Sequence, residues 1–302
     1  MIRAMLLLLA CASEPAVRTA PVPTVKLGNF AELPATTLLD SPWEGGFGRE
    51  ERELVGPWAV FPDGDGVSVL DQVNTRILRY DADGTALGAV PIPTAATWDA
   101  VATNSDGYAL LTWTPGEDFH WSIQAIDGAG TLASDVRVQL DPPTAVLTDG
   151  DRVLVEDGHD DTVDVVTGER FPGRPNGDGL YVKAVKDDLL HLTLTWSDAT
   201  GGDKRSVRIE LDRPLVNVLS LDPVGDEVLV GMLLMENTTD ETLANPEIRA
   251  VLVDRKGHLR RELRLPAGDG TDPLRPLALG ADGEILQLRP HAAGVTLTRV
   301  RP

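Results

Sequence analysis

A turn carrying Asp and Gly, followed at once by a run of apolar residues, recurs along the chain. It reads Pro62-Asp63-Gly64-Asp65-Gly66 before Val67-Ser68-Val69-Leu70, and Ser105-Asp106-Gly107 before Tyr108-Ala109-Leu110-Leu111. Weaker copies stand at Asp149-Gly150-Asp151, Lys186-Asp187-Asp188, Gly225-Asp226 and Ala281-Asp282-Gly283. Counted between the residues that open each apolar run (Gly66, Gly107, Asp151, Asp188, Asp226 and Gly283), the steps are 41, 44, 37, 38 and 57 residues. A unit of that size, roughly 40–50 residues, matches one four-stranded blade, which must stack on its neighbours to bury its faces.

One repeat is written out in full over 56–93. Trp58-Ala59-Val60-Phe61 reads as a first strand, Val67 to Leu70 as a second, Arg76 to Tyr80 as a third and Leu87 to Ile92 as a fourth. Asp83-Gly84 between the last two suits the positive φ of a tight hairpin. Short strands punctuated by Asp-Gly predict antiparallel meanders. Apolar spacing at i, i+3, i+4, i+7 over more than two turns is absent, so helices are not expected. The fold class expected is all-β, a six-bladed β-propeller of four-stranded antiparallel blades. The last repeat, 276–300, has room for three strands, and the segment 25–39 is expected to supply the fourth, pairing the two ends of the chain so that no sheet edge is left open. The long fifth step holds a polar insertion, 232–246, which reads as a loop.

Residues 56–88 resemble one NHL repeat: Pro62-Asp63-Gly64, then Val69-Leu70-Asp71-Gln72-Val73-Asn74-Thr75-Arg76-Ile77, then Tyr80-Asp81-Ala82-Asp83-Gly84. The other repeats keep the turn and the apolar run but lose the Asp-x-x-Asn-x-Arg segment. The resemblance implies a six-bladed propeller and carries over no catalytic residue.

The 302 residues carry 27 basic and 47 acidic side chains, a net charge of −20. That charge repels nucleic acid and anionic membrane surfaces, so neither is expected as a partner. Arg3 followed by Met5-Leu6-Leu7-Leu8-Leu9 reads as a targeting segment, too short to span a bilayer, which takes about 20 residues. Cys11, the one cysteine, follows in Leu8-Leu9-Ala10-Cys11. This resembles a bacterial lipobox and implies lipidation of Cys11; cleavage after Ala12 of a secreted protein is the rival reading. Residues 1–12 are thus expected to be signal peptide and lipobox, the Pro- and Ala-rich 13–24 a tether, and 25–302 the propeller. The expected address is the bacterial cell envelope, on an outer-membrane lipoprotein, with the secreted or periplasmic protein as alternative.

In a propeller the loops joining second to third strands gather on one face, together with the connections between blades. Those loops are read at 71–75, 114–120, 157–161, 197–203, 232–246 and 290–294. Asn74, Trp113, His120, Glu156, His159 and Trp196 are the residues expected on this binding face. Aromatic rings beside carboxylates can hold a polar organic ligand or a peptide. The run Glu156-Asp157-Gly158-His159-Asp160-Asp161 offers Asp157, Asp160 and Asp161 as candidates for calcium, which takes six to eight oxygen ligands. Asn74, Asn104, Glu156 and Asn217 are further candidates for an ion at the channel centre, of the kind found in propeller lactonases and esterases.

A Gly-x-Ser-x-Gly elbow, a His-Glu-x-x-His zinc motif and a phosphate-binding Gly-rich loop are all absent from the sequence. The expectation is a non-enzymatic, monomeric binding protein or scaffold without cofactor, presenting one loop face to a protein, peptide or glycan in the envelope, with its membrane contact confined to a lipid anchor. The alternative is a calcium-dependent hydrolase of the lactonase or esterase kind.

Overall fold

The computed structural model describes residues 22–27, 35–43, 46–48, 56–104, 106–140, 142–158, 160–202, 204–237, 243–268, 273–280 and 283–301. Cys11, the lipobox and most of the expected tether lie outside the described residues, as does His159. Two strands, β1 (Thr24–Lys26) and β2 (Ala35–Pro42), precede the first blade. Blade one comprises β3 (Ala59–Asp63), β4 (Gly66–Asp71), β5 (Arg76–Tyr80) and β6 (Ala86–Pro91). Blade two comprises β7 (Thr97–Ala102), β8 (Gly107–Thr114), β9 (His120–Asp127) and β10 (Leu132–Val138). In blade three follow β11 (Pro143–Asp149), β12 (Arg152–Asp157), β13 (Asp161–Asp164) and β14 (Arg170–Phe171). Blade four holds β15 (Arg174–Pro175), β16 (Leu180–Lys186), β17 (His191–Asp198) and β18 (Arg205–Glu210). Blade five holds β19 (Leu215–Val224), β20 (Glu227–Asn237), β21 (Leu243–Asp254) and β22 (Leu259–Leu265). Blade six is β23 (Leu277–Leu279), β24 (Ile285–His291) and β25 (Gly294–Val300), completed on its outside by β2.

The first strands of successive blades touch one another in a circle, β3 to β7 to β11 to β15 to β19 to β23 and back to β3. They line a central channel, and the chain is a six-bladed propeller. The seam between last and first blade is stitched at the axis: the Val60 amide donates to the Arg275 carbonyl at 3.0 Å, and the Arg275 amide to the Trp58 carbonyl at 3.2 Å. Among the described residues the one helical element is a 3-10 turn, Gln72–Asn74.

Six apolar clusters fill the gaps between neighbouring blades. Val67, Val69, Leu288 and Leu297 join blades six and one; Leu70, Ile77, Tyr108 and Leu110 join one and two; the largest, between four and five, includes Leu194, Trp196, Val230 and Val251. Because an inner strand meets a neighbour on both of its faces, it reads as a continuous apolar run rather than an alternation. Tyr108 to Leu111 in β8 are all buried, whereas Leu132 to Arg137 on the outer β10 are all exposed.

Closure by the two chain ends holds, with a changed division of labour. β2 pairs antiparallel with β25 from Ala35 opposite Val300 to Pro42 opposite Gly294. The earlier part of the expected closing segment serves another blade: β1 adds in parallel to the outside of β18, Val25 facing Ile209. Val25 is buried there in the cluster between blades four and five.

Two expectations are corrected. The insertion 232–246 is for the most part a hairpin of two long strands, Met232 opposite Arg249 and Leu234 opposite Glu247, with only 238–242 outside the described residues. Its Thr, Glu and Asn residues read as a loop because they are concentrated in 236–242, toward the end of the hairpin. In blade four the phase was misplaced. Asp187-Asp188 is not the first hairpin of that blade; Asn176-Gly177-Asp178-Gly179 is. The inner strand β15 is two residues long, too short to leave an apolar run in the sequence, so the repeat marker slid by one strand.

Candidate ligand-binding site at the channel mouth

Strand direction alternates across each blade, which puts the second-to-third-strand loops and the entries to the inner strands on one face. Arg174 and Arg275 stand at two of those entries, each followed by proline, Pro175 and Pro276. Proline is tolerated at the start of a strand, where no ladder partner needs its missing N–H.

On this face the channel opens into a cavity of about 460 Å³, to which all six blades contribute: Trp58, Asp99, Thr144 and Glu156, Arg174 and Lys186, Asn217 and Leu233, Leu274 and Arg275. Two buried ion pairs stand in its wall. Arg174 grips Glu156 with two parallel bonds, Nε to Oε1 at 2.6 Å and Nη2 to Oε2 at 2.9 Å, and its Nη1 donates to the Leu221 carbonyl at 2.7 Å. The Thr144 hydroxyl donates to Glu156 Oε2 at 2.7 Å. Burial works against the Arg174 charge, but the Glu156 carboxylate outweighs it and holds the guanidinium pKa above its ordinary value.

The second pair is looser. Arg275 Nη2 donates to Asp99 Oδ2 at 2.6 Å, and the Val146 amide donates to the same oxygen at 3.0 Å. Asp99 Oδ1 is buried without a hydrogen-bond partner. Burial raises the Asp99 pKa against the opposing pull of Arg275. Asp222, deeper in the channel, is also raised by burial, against Arg275 and Arg174, and its Oδ2 likewise lacks a partner. Lys186 reaches the rim and donates to the Leu215 carbonyl at 2.6 Å.

Beside the cavity runs a chain of edge-to-face and tilted rings. Trp58 meets Trp98 at 5.6 Å between centroids, Trp98 meets Trp121 at 6.0 Å, and Trp121 meets Trp113 at 6.0 Å and Phe119 at 5.9 Å. These separations and tilts are those that aromatic quadrupoles favour. Phe119, at the outer end, is half exposed.

Of the expected face residues, Asn74, Trp113, His120 and Glu156 lie on this face, and Glu156 lines the cavity itself. Trp196 does not. It is 1% exposed in the core between blades four and five, near the far end of β17, because 197–203 joins third to fourth strand on the opposite face. Asn74 is a clasp: its amide donates to Asp71 Oδ2 at 3.0 Å, beside Arg76 Nε at 2.9 Å, while Asp71 Oδ1 accepts from the Gly48 amide at 3.1 Å and Arg76 Nη2 donates to the Gly46 carbonyl at 2.5 Å. The Asp-x-x-Asn-x-Arg segment thus ties down the chain arriving from β2. His120 Nδ1 donates to the Asp118 carbonyl at 2.7 Å within its own hairpin.

Among the calcium candidates, Asp157 accepts from Arg170 Nη1 at 2.8 Å and Asp160 is paired with Lys183; Asp161 opens β13. Asn217 lines the cavity, while Asn104 bonds the Gly150 carbonyl at 3.0 Å, at a first-to-second-strand turn on the other face. Among the described residues no group of three or more His, Cys, Asp or Glu is placed to hold a metal. Sequence reasoning missed Trp58, Asp99, Arg174, Lys186, Asp222 and Arg275. The recurring Arg-Pro at the entry to an inner strand, at 174–175 and 275–276, was the available signal.

No family model and no curated protein matches the sequence. Solved structures similar to the chain include the hydrazine synthase of Kuenenia stuttgartiensis, 14% identical with a TM-score of 0.46 over 81% of this chain and 79% of that one. A glucose dehydrogenase is 13% identical with a TM-score of 0.48 over 89% and 99%. The virginiamycin B lyase of Staphylococcus aureus is 9% identical with a TM-score of 0.44 over 90% and 99%. These likenesses go no further than the fold.

Proposed function

We propose that this chain is a non-enzymatic, extracytoplasmic binding protein, held at the cell envelope through a lipidated Cys11 and presenting its channel-mouth face to a protein, peptide or glycan. The observation that carries this reading is the cavity of about 460 Å³ set in the middle of that face and walled by all six blades. Its volume is that of a ligand pocket, concave and mostly apolar with a few placed polar groups. Both oxygens of Glu156 are spent on Arg174, which suits a rigid receptor wall better than a catalytic carboxylate. The ring cluster ending at Phe119 extends the surface outward for a larger partner.

The test compares capture from native envelope extract by three proteins: the wild type, a variant with Trp113→Ala and the hairpin end 235–245 shortened, and a control altered on the opposite face at Asn104→Ala. Partners lost from the face variant and kept by the control support the reading; identical capture by all three contradicts it.

A second reading, a calcium-dependent hydrolase, is favoured by the two unpartnered carboxylate oxygens in the channel, Asp99 Oδ1 and Asp222 Oδ2. It requires one tightly held ion and a melting temperature that falls on chelation. Ion-free protein with unchanged melting contradicts it.

A further inference from the structure

The cavity keeps hydrogen-bond donors that its own wall leaves unused, and these specify a ligand. Arg275 uses one guanidinium nitrogen, Nη2, toward Asp99 Oδ2 and the Val146 carbonyl; among the described residues nothing accepts from its Nε or Nη1. Lys186 spends one of its three N–H bonds, on the Leu215 carbonyl, and among the described residues no carboxylate pairs with it. Trp58 Nε1 and Ser220 Oγ are buried without partners, and the Asn217 side chain is exposed on the wall. Three cations (Arg174, Lys186, Arg275) and two carboxylates (Asp99, Glu156) line the cavity, and a third carboxylate, Asp222, stands behind them 4.0 Å from Arg174 Nη1. In a chain of net charge −20 the site is thus locally charge-balanced, and Arg275 and Lys186 keep donors that the wall does not use. Surface charges beyond about 8 Å are screened at physiological salt, while groups inside a walled cavity are screened much less. The rest of the wall is apolar: Val216, Val218, Leu219, Leu233, Pro273 and Leu274.

Resting on the reading of this face as a binding surface, we propose that the cavity takes a carboxylate carried on an apolar body. Arg275 and Lys186 hold the carboxylate, with Asn217 as a further donor. The aliphatic wall and the Trp58 ring cover the body. A free alkyl acid and the C-terminus of an apolar peptide share this chemistry. Asp99 Oδ1 and, deeper in the channel, Asp222 Oδ2 are the features that argue for a cation instead.

The experiment uses the folded full chain, followed by tryptophan fluorescence and calorimetry, with two matched sets of probes. Octanoate is compared with octanamide and octylammonium, and N-acetyl-trileucine with its C-terminal amide. The expected result is that the carboxylate member of at least one set binds about tenfold or more tighter than its amide, as a charge-assisted bond supplies, and weakens with salt. The set that responds identifies the source. Lys186→Gln, on an exposed side chain, brings acid and amide affinities together without changing the amide's; Arg275→Gln does the same where melting shows that it folds. Octylammonium or the amides binding as tightly as the acids, or no probe binding, overturns the proposal. Leu274→Trp separates the two levels of inference: if it abolishes amide binding, the face remains a ligand site without the preference for acids; if binding and envelope capture are both untouched by it, the reading of the face fails as well.

Discussion

Arg174 of blade four grips the Glu156 carboxylate of blade three with two hydrogen bonds, one to each oxygen, of 2.6 and 2.9 Å. The pair is one-tenth exposed or less on both sides, and it brackets two blades whose shared apolar cluster is small, Leu154, Phe171 and Tyr181. Removing one partner strands the other as a buried charge or an unmet donor, which costs about 3 kcal/mol or more. Glu156→Gln and Arg174→Met should each lower the urea midpoint accordingly, and the double variant Glu156→Leu with Arg174→Met should recover much of the loss. Additive losses in the double variant would show that the two residues do not act as a pair.

The two N-terminal strands should separate in truncations. Removing residues 1–26 takes away β1 and the burial of Val25, about 1–2 kcal/mol, and should leave a folded monomer. Removing 1–42 also takes away β2, exposing the edge of β25 and the Trp43 indole bond to the His291 carbonyl at 3.1 Å. An unpaired edge recruits other chains, so this variant should melt earlier and elute as oligomers in size-exclusion chromatography.

Gly66 and Gly107 open the second strand of blades one and two, and a methyl group on either would run into a backbone carbonyl, that of Tyr80 or Ile126. Gly66→Ala should therefore cost about 2 kcal/mol or more, since a ladder carbonyl cannot move aside. Gly64, two residues earlier at φ +58° with open space around it, should lose only about 1 kcal/mol as alanine, the strain of a left-handed residue. Denaturant melts of the two variants decide the order.

All three tyrosines are shifted upward. Burial raises Tyr80 and Tyr181, and burial together with the bond to Asp63 Oδ2 at 2.7 Å pushes Tyr108 up to about 12. The native phenols hold their protons more tightly than unfolded ones, so their contribution to stability is fully present below about pH 10 and is lost as pH rises toward the folded values. Ultraviolet titration should show less phenolate at pH 10 in the native protein than in denaturant, where about half is ionised, with the Tyr108 phenol still protonated in the native state. Native ionisation near pH 10 would contradict the packing around Tyr108.

The blades were legible in the sequence because Asp-Gly turns and apolar runs are local. Blade one was read within a residue or two of its boundaries, 59–63, 66–71, 76–80 and 86–91. Blade four was not, since β15 is two residues long and leaves no apolar run. The NHL-like Asp71-x-x-Asn74-x-Arg76 segment holds the chain that arrives from the closing strand, through the Gly48 amide and the Gly46 carbonyl. Glu156 was reached from an acidic loop, but its partner comes from 18 residues away in the next blade. Asp99 and Arg275 are 176 residues apart and meet only because the ring closes; pairing across an axis leaves no trace in local pattern.

The most direct test of the account is hydrogen exchange with and without octanoate, or with the envelope partner once captured. Protection is expected in peptides covering 71–76, 113–121, 186–190, 216–221 and 273–275, around the channel mouth. Protection confined to the turns of the opposite face, at 103–107, 149–152, 198–202 and 225–227, would contradict it.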